Sequence, residues 1–282
     1  MNGISGAAHL AGVIGSPVSH SLSPRLMGHW IQALDLDAAY VPFAVEASGL
    51  DVFLAGIAKS QLMGVNVTLP HKEKVLALAD TASDAAKRIG AANLLTFDGD
   101  KIHADNTDAP GFLAALKPAN IKYRQSTALV LGAGGAARAL VYALLTSGIS
   151  RLILTNRSRG RAEQLVDDLA PMAAVVDWDQ KDNVLGEADL VVNATALGLN
   201  GDQPLKLDWS KARSGAVAFD SVYTPLNTQY LADARKAGLT VVDGLDMLIG
   251  QARPSFRAFY GREAPILPPV RPVLLKALGE KA

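Results

Sequence analysis

A chain of 282 residues with 49% hydrophobic content is long enough for one large or two ordinary domains, each with a buried core. Its 27 basic and 27 acidic side chains cancel, so no net field draws it to nucleic acid or to an anionic membrane. It contains no cysteine, which excludes disulfides, thiol nucleophiles and thiolate metal sites, and its five histidines (His9, His20, His29, His71 and His103) show no paired metal-ligand spacing.

The amino-terminal stretch MNGISGAAHLAGVIG lacks a basic segment, and no apolar run is long enough to span a bilayer, so a soluble cytoplasmic protein without a membrane partner is expected. Leu10–Ile14 reads as the first strand, and Ser23-Pro24 begins a helix with proline at its tolerated first position. Ala39–Val45 reads as a second strand, Leu50–Ala58 as a helix and Gly64–Val67 as a third strand. Pro70 begins another helix, and Ala91–Phe97 with Lys101–Ala104 form a hairpin around Asp98-Gly99. These elements make an α/β domain of their own.

Polar residues cluster at the strand ends, where an open α/β sheet takes its ligand. Ser21 and Ser23 offer two hydroxyls beside a helix start, a pattern that grips a carboxylate without arginine but equally makes a turn with an N-cap. Asn66 and Thr68 alternate on one face of a strand end, and Lys72 follows in the first turn of the next helix, where the dipole disfavours a fixed ammonium and eases proton exchange. A solvated lysine like Lys74 beside it is the plainer reading. The run Asp105-Asn106-Thr107-Asp108 ends the domain; Thr107 or Asp105 as an N-cap accounts for one member but not the whole run.

The second half is organised by Ala128–Arg161. The apolar run Ala128–Leu131 leads into Gly132, Gly134 and Ala137 in G-x-G-x-x-A spacing, then into a helical pattern through Leu145, a stop at Gly148 and a second buried strand, Leu152–Leu154. This strand–turn–helix–strand unit carries a dinucleotide fingerprint: Gly132 permits the tight turn, Gly134 the approach of a pyrophosphate and Ala137 close helix–strand packing. Where an NAD site places an acid, this chain has Asn156-Arg157-Ser158-Arg159-Gly160-Arg161, with no acid before Glu163. Guanidinium groups suit a phosphate and sit poorly at a helix start without one, so NADP is the expected cofactor. Ala188–Asn193, Ala216–Asp220 and Leu239–Val242 supply further strands, and helices over Asp246–Phe259 and Pro269–Gly279 close the chain. A carboxylate at Asp108 can hold Lys72 and accept from a substrate hydroxyl. Such an acid–base pair beside a nicotinamide is what hydride transfer at a secondary alcohol requires when no metal is available.

HSLSP, NVTLPHK, GAAN, DNTD, VLGAGGAARA, NRS with Arg161, VVNAT, DSVYTPLNT and DGLDMLIGQA follow one another in this order. In these nine blocks the chain resembles, nearly end to end, the shikimate dehydrogenase family, NADP-dependent enzymes that reduce 3-dehydroshikimate for aromatic amino acid biosynthesis. The resemblance implies a two-domain α/β fold. A substrate domain over residues 1–107 is completed by C-terminal helices at 245–282, and a Rossmann-like NADP domain spans 108–244. It implies that Ser21 and Ser23 hold the substrate carboxylate with Tyr223 nearby. Asn66, Thr68, Asn93, Asp108 and Gln251 then bind the ring hydroxyls, and Lys72 with Asp108 forms the acid–base pair. Gly132, Ala133, Gly134, Gly135 and Ala136 cradle the pyrophosphate, Asn156, Arg157, Ser158 and Arg161 read the adenosine end, and Ser221 and Gly244 line the nicotinamide pocket. The expected partner is a small molecule bound by a monomer or homodimer. Three departures from the family pattern stand out: Ala109-Pro110 after the aspartate, Leu94 for a threonine, and Met27-Gly28 for a polar pair. Quinate as substrate with NAD(P), and a non-catalytic ligand sensor, are the alternatives; retention of Lys72 and Asp108 weighs against the sensor.

Overall fold

In the computed structural model, which describes residues 4–280, the apolar run near the start lies in β1 (His9–Gly15), buried from Ala11 to Gly15. α1 (Ser23–Ala33), β2 (Ala38–Ala44), α2 (Leu50–Ile57), β3 (Leu62–Val67) and α3 (Lys72–Leu78) follow, then β4 (Thr81–Ala82), α4 (Asp84–Ile89), β5 (Leu94–Asp98) and β6 (Lys101–Asp105). The strands form one mixed sheet in the order β2-β1-β3-β5-β6-β4. Ile14, Val65, Val67 and Leu95 bury one face of it against Leu50, Leu54 and Val75.

Three expectations shift. The helix after β3 starts at Lys72 rather than Pro70, because Pro70 lies inside a turn closed by the His71 N–H on the Thr68 carbonyl (3.1 Å). The hairpin loop is Gly99-Asp100, not Asp98-Gly99: Asp98 pairs with Lys101, and Gly99 takes the first loop position with φ of +60°. β4 and α4 have no counterpart among the expected elements. Two residues are too few to show alternation, although Ser83, whose side chain caps the Ala86 N–H, and left-handed Gly90 mark the ends of α4.

The second group of elements opens with α5 (Asp108–Leu116) and continues with β7 (Thr127–Leu131), α6 (Gly135–Thr146), β8 (Arg151–Thr155), α7 (Arg159–Leu169) and β9 (Ala174–Val175). A 3₁₀ segment, Trp178–Glu187, leads to β10 (Leu190–Asn193), β11 (Val217–Asp220), α8 (Gln229–Lys236) and β12 (Thr240–Val242). All neighbouring strands pair in parallel, in the order β12-β11-β10-β7-β8-β9. This is the doubly wound arrangement, with its switch point between β7 and β10. β10 and β11 are buried at every residue, which is why they read as unbroken apolar runs rather than alternating ones.

α9 (Gly244–Tyr260) and α10 (Arg271–Ala277) end the chain. The fold divides into two units, one running to Thr107 and resuming at Ile249, the other spanning Asp108–Leu248. Residues 1–3 and 281–282 of the expected substrate domain lie outside the described residues.

From Ile249 onward the late helix belongs to the first unit for a packing reason. Phe256 meets Trp30 edge-on at 5.5 Å, Phe259 meets Tyr40 at 6.2 Å, and the Tyr260 hydroxyl donates to the Ala39 carbonyl at 3.1 Å. Phe256 and Trp30 are fully buried. Removing an aromatic ring from such a site costs about 3–5 kcal/mol. Phe256→Ala should therefore lower the stability of the first unit by that amount in denaturant unfolding; a loss under about 1 kcal/mol would show that α9 is dispensable to that core.

Candidate active site

In the first unit the candidate residues gather at one edge of the sheet. β1 and β3 run parallel and end there, antiparallel β5 starts there, and β6 ends there. Ser21 and Ser23 follow β1, Asn66 and Thr68 close β3, and Asn93 precedes β5. Lys72 opens α3, whose first carbonyl receives the Ala92 N–H at 2.8 Å.

Asn93, buried to 3% exposure, is the crosspoint. Its N–H donates to the Asp105 carbonyl (3.0 Å), and its carbonyl accepts from the Val67 N–H (2.9 Å) and the Asn66 side chain (3.1 Å). Its side-chain oxygen takes both the N–H and the hydroxyl of Thr107, at 2.7 and 3.2 Å. Thr107 is thus bound to Asn93. Asp105 is also committed, its Oδ1 accepting from the Asn106 N–H and the Ser83 hydroxyl.

The polar candidates differ in how free they are. The Asn66 amide is engaged at both its oxygen and its nitrogen, accepting from the Tyr40 hydroxyl (2.8 Å) and donating to the Asn93 carbonyl and to Ser255 Oγ (2.8 Å). Ser255 in turn donates to the Gln251 carbonyl at 3.3 Å, so the turn of α9 that carries Gln251 is tied to Asn66 from far along the chain. Ser21 accepts the Ser23 N–H at 3.3 Å, so the turn is made by Ser21 while Ser23 lies inside the helix rather than at its N-cap. The Ser23 and Thr68 hydroxyls bind no described residue. His71, only counted among the histidines in the sequence, is buried and donates to the Val45 carbonyl at 2.6 Å, fixing the start of α3.

In the second unit Asp108 is buried as the first residue of α5, and Pro110 falls in the first turn, where the missing N–H costs no helical bond. At the switch point Gly132 adopts φ of +117°, and a Cβ there would lie 2.9 Å from the Ala194 carbonyl oxygen, so only glycine lets the β7–α6 turn lie against the end of β10. Gly134 caps α6 in an extended conformation with no side-chain cap and open space where a Cβ would be. Ala133, Gly135 and Ala136 complete the turn, so the first N–H groups of the helix meet no capping side chain. That cradle fits a pyrophosphate.

The basic run after β8 resolves into two kinds of arginine. Arg159 is clamped by Glu163 and Asp177, both at 2.7 Å. Arg157 and Arg161 form no ion pair with any described residue. Asn156 closes the turn by donating to the Ser158 carbonyl at 2.9 Å, and Ser158 precedes α7 without capping it through its side chain.

β10 and β11 end in a buried network that the sequence reading missed. Asp220 Oδ1 accepts from Asn193 Nδ2 (2.9 Å) and the Val222 N–H (3.0 Å), and Oδ2 accepts from the Thr228 hydroxyl (2.6 Å). Asn193 Oδ1 receives the N–H and hydroxyl of Thr195. Ser221 donates its N–H to the Asn193 carbonyl at 3.0 Å, and a Cβ on Gly244 would lie 2.5 Å from the Ser221 carbonyl oxygen, so that glycine too is set by close approach. Tyr223 follows in the same loop. A polar residue at the end of an otherwise apolar strand, as in LVVN and VAFD, is the signal in the sequence.

A Rossmann-like strand order with an uncapped, glycine-lined helix start and two arginines that meet no acid among the described residues defines a dinucleotide-binding α/β protein, joined to a second α/β unit with a polar sheet edge. The chain matches the family model described as shikimate dehydrogenase substrate binding domain over residues 13–95, and that described as shikimate / quinate 5-dehydrogenase over residues 114–200. It is 54% identical over 276 residues to the shikimate dehydrogenase (NADP(+)) of Maricaulis maris, covering 98% of this chain and 99% of that one. Among solved structures it is similar to shikimate dehydrogenase from Aquifex aeolicus, with 35% identity, a TM-score of 0.87 and coverage of 93% and 96% of the two chains. It is also similar to shikimate 5-dehydrogenase from Thermus thermophilus in complex with NADP(H) and shikimate, with 37% identity, a TM-score of 0.83 and coverage of 91% and 95%. The chain belongs to the shikimate dehydrogenase family.

Burial pushes the Asp220 carboxyl up from 3.8 to about 6, against the opposing effect of hydrogen bonds from Thr228, Val222 and Asn193. Because the folded-state value is the higher one, the stability tied to this proton is complete below the unfolded value and is lost as pH rises through about 6. The wild type should lose stability relative to Asp220→Asn by up to about 3 kcal/mol between about pH 4 and pH 7, measured as the difference in unfolding free energy. A pH-independent difference would show that the Asp220 carboxyl titrates in the fold as it does in the unfolded chain.

Proposed function

We infer that this chain catalyses the NADP-dependent, reversible reduction of 3-dehydroshikimate to shikimate, as an oxidoreductase of aromatic biosynthesis. The observation that carries it is the 54% identity, over almost the whole of both chains, to an NADP-dependent shikimate dehydrogenase. Bound NADPH supplies the hydride. The substrate is a small polar ring acid, and its site is built from hydroxyls and amides in a chain of zero net charge. Action as a cytoplasmic monomer or homodimer belongs to the same reading; among the described residues no helix is long and apolar enough to cross a membrane.

The proposed division of labour assigns residues 1–107 and the C-terminal helices to the substrate, and residues 108–244 to NADP. Ser21 and Ser23 bind the substrate carboxylate with Tyr223. Ser23 is supported by a hydroxyl with no other bond partner among the described residues. Thr68, Asn93, Gln251 and Asp108 bind ring hydroxyls, while Asn66, whose amide is already engaged on both sides, also orders the edge around them. Lys72 delivers a proton to the ketone oxygen in the reductive direction and takes it back in the oxidative one. Asp108 holds that ammonium and accepts from the neighbouring hydroxyl. Gly132–Ala136 take the pyrophosphate. Asn156, Arg157, Ser158 and Arg161 take the adenosine 2′-phosphate, to which a carboxylate in their place would be repulsive. Ser221 and Gly244 border the nicotinamide.

The direct test is the absorbance of the nicotinamide band with shikimate or quinate, each crossed with NADP or NAD. Shikimate with NADP should be the fastest pair. Faster turnover of quinate would replace this assignment with the other branch of the family, and no turnover of either would favour a ligand sensor.

General acid–base catalysis contributes about 10²–10⁴-fold. Lys72→Ala should lower kcat within that range while leaving the dissociation constant for NADP within a factor of about two. Unchanged kcat would remove Lys72 from the proton transfer. Arg157→Ala should weaken NADP roughly tenfold and NAD hardly at all, since a charged hydrogen bond is worth about 1.5–3 kcal/mol. Equal losses for both cofactors would make Arg157 a support for its loop.

A further inference from the structure

Beside Arg157 the second unit carries a half-open cavity of about 280 Å³. Arg157 follows β8, Trp178 and Lys181 follow β9, and Leu197 and Lys206 both lie in the connection from β10 to β11, so the cavity sits at the carboxyl ends of parallel strands, where doubly wound sheets take ligands. Three cations line it and no acid does. Lys206, like Arg157, forms no ion pair with any described residue. The Lys181 side chain is only 15% exposed, yet its nearest carboxylate, Asp182, is 3.8 Å away, and its other neighbour is the Trp178 ring at 5.4 Å.

Withdrawing an ammonium from water without a close counter-ion is unfavourable, and three like charges around one cavity add to that cost. The arrangement is stabilised when an anion enters. The volume is near the low end for small-molecule sites, enough for one end of a dinucleotide and too little for the whole. Trp178 and Leu197 supply apolar surface for a planar base. The neighbouring Arg159, which two carboxylates neutralise, contributes no charge to it.

We propose that Lys181 and Lys206, together with Arg157, form a cationic pocket for the adenosine 2′-phosphate end of NADP, so that selectivity against NAD is set by these two lysines as well as by the arginine run after β8. This rests on the reading that the second unit binds NADP. The selectivity is then a field from three elements: the turn after β8, the 3₁₀ segment after β9 and the loop that carries Lys206. A phosphate that meets all three charges is held more tightly than one met by a single guanidinium fork.

The test is calorimetric binding of NADP+, NAD+ and adenosine 2′,5′-bisphosphate to the full chain and to Lys206→Ala, Lys181→Met and the double variant. Methionine keeps the buried stem of Lys181 filled, and unfolding of each variant is followed by circular dichroism. Each single variant should weaken NADP+ and the bisphosphate by about threefold to tenfold and NAD+ by less than about twofold, with a larger loss in the double variant. Unchanged NADP+ binding in the double variant, or an equal loss for NAD+, overturns the proposal while leaving NADP binding by the wild type intact. Absence of NADP+ binding by the wild type overturns the underlying reading as well, which separates the two failures.

Discussion

One buried side chain, Asn93, fixes the candidate substrate edge. Its backbone joins the ends of β3 and β6, its carbonyl also holds Asn66, and its amide oxygen holds Thr107 by two bonds. Strand ends leave backbone N–H and C=O groups without ladder partners, and a buried edge must supply them from side chains. The Asn93 side-chain oxygen accepts both Thr107 bonds, which a leucine of similar size cannot do. Exchange it, and the candidate residues before and after it lose their common reference.

The second unit solves the same problem with charge. Asn193 and Asp220 end adjacent parallel strands and satisfy each other, Thr195, Thr228 and the Val222 N–H. Such a network is rigid because its members hold one another, and it is intolerant because the low dielectric makes an unpaired member costly. Its position matters: Ala194 and Ser221 are the next residues on each strand, one lying against Gly132 and the other against Gly244. The glycines are therefore half of a fit whose other half is a polar core, and the turn offered to a dinucleotide inherits its shape from both.

Charge is distributed with similar economy. Arg157, Arg159 and Arg161 are alike in the sequence, but among the described residues Arg159 is the one that meets acids, one four residues ahead on its own helix and one just past the end of β9. An arginine so held has few donors to spare for a ligand phosphate. The others are where an anion gains most, and Lys206 and the poorly paired Lys181 extend that deficit across neighbouring strand ends.

Read alone, the chain of residues already carries the two α/β halves, the dinucleotide turn, the order of most strands and the residue types at the candidate site, because buried parallel strands, glycine turns and basic strand ends leave local marks. It also carries the family resemblance, block by block. The short β4 leaves too little periodicity to be seen, and the start of α3 is displaced by a turn whose closing bond no propensity encodes. Folding is what ties Asn66 to Ser255, anchors α3 through His71, joins Asn193 to Asp220 in one network and selects which arginine is neutralised. Each of these depends on residues far apart in the chain meeting at strand ends, and sheet order, not spacing along the sequence, determines which strand ends are neighbours.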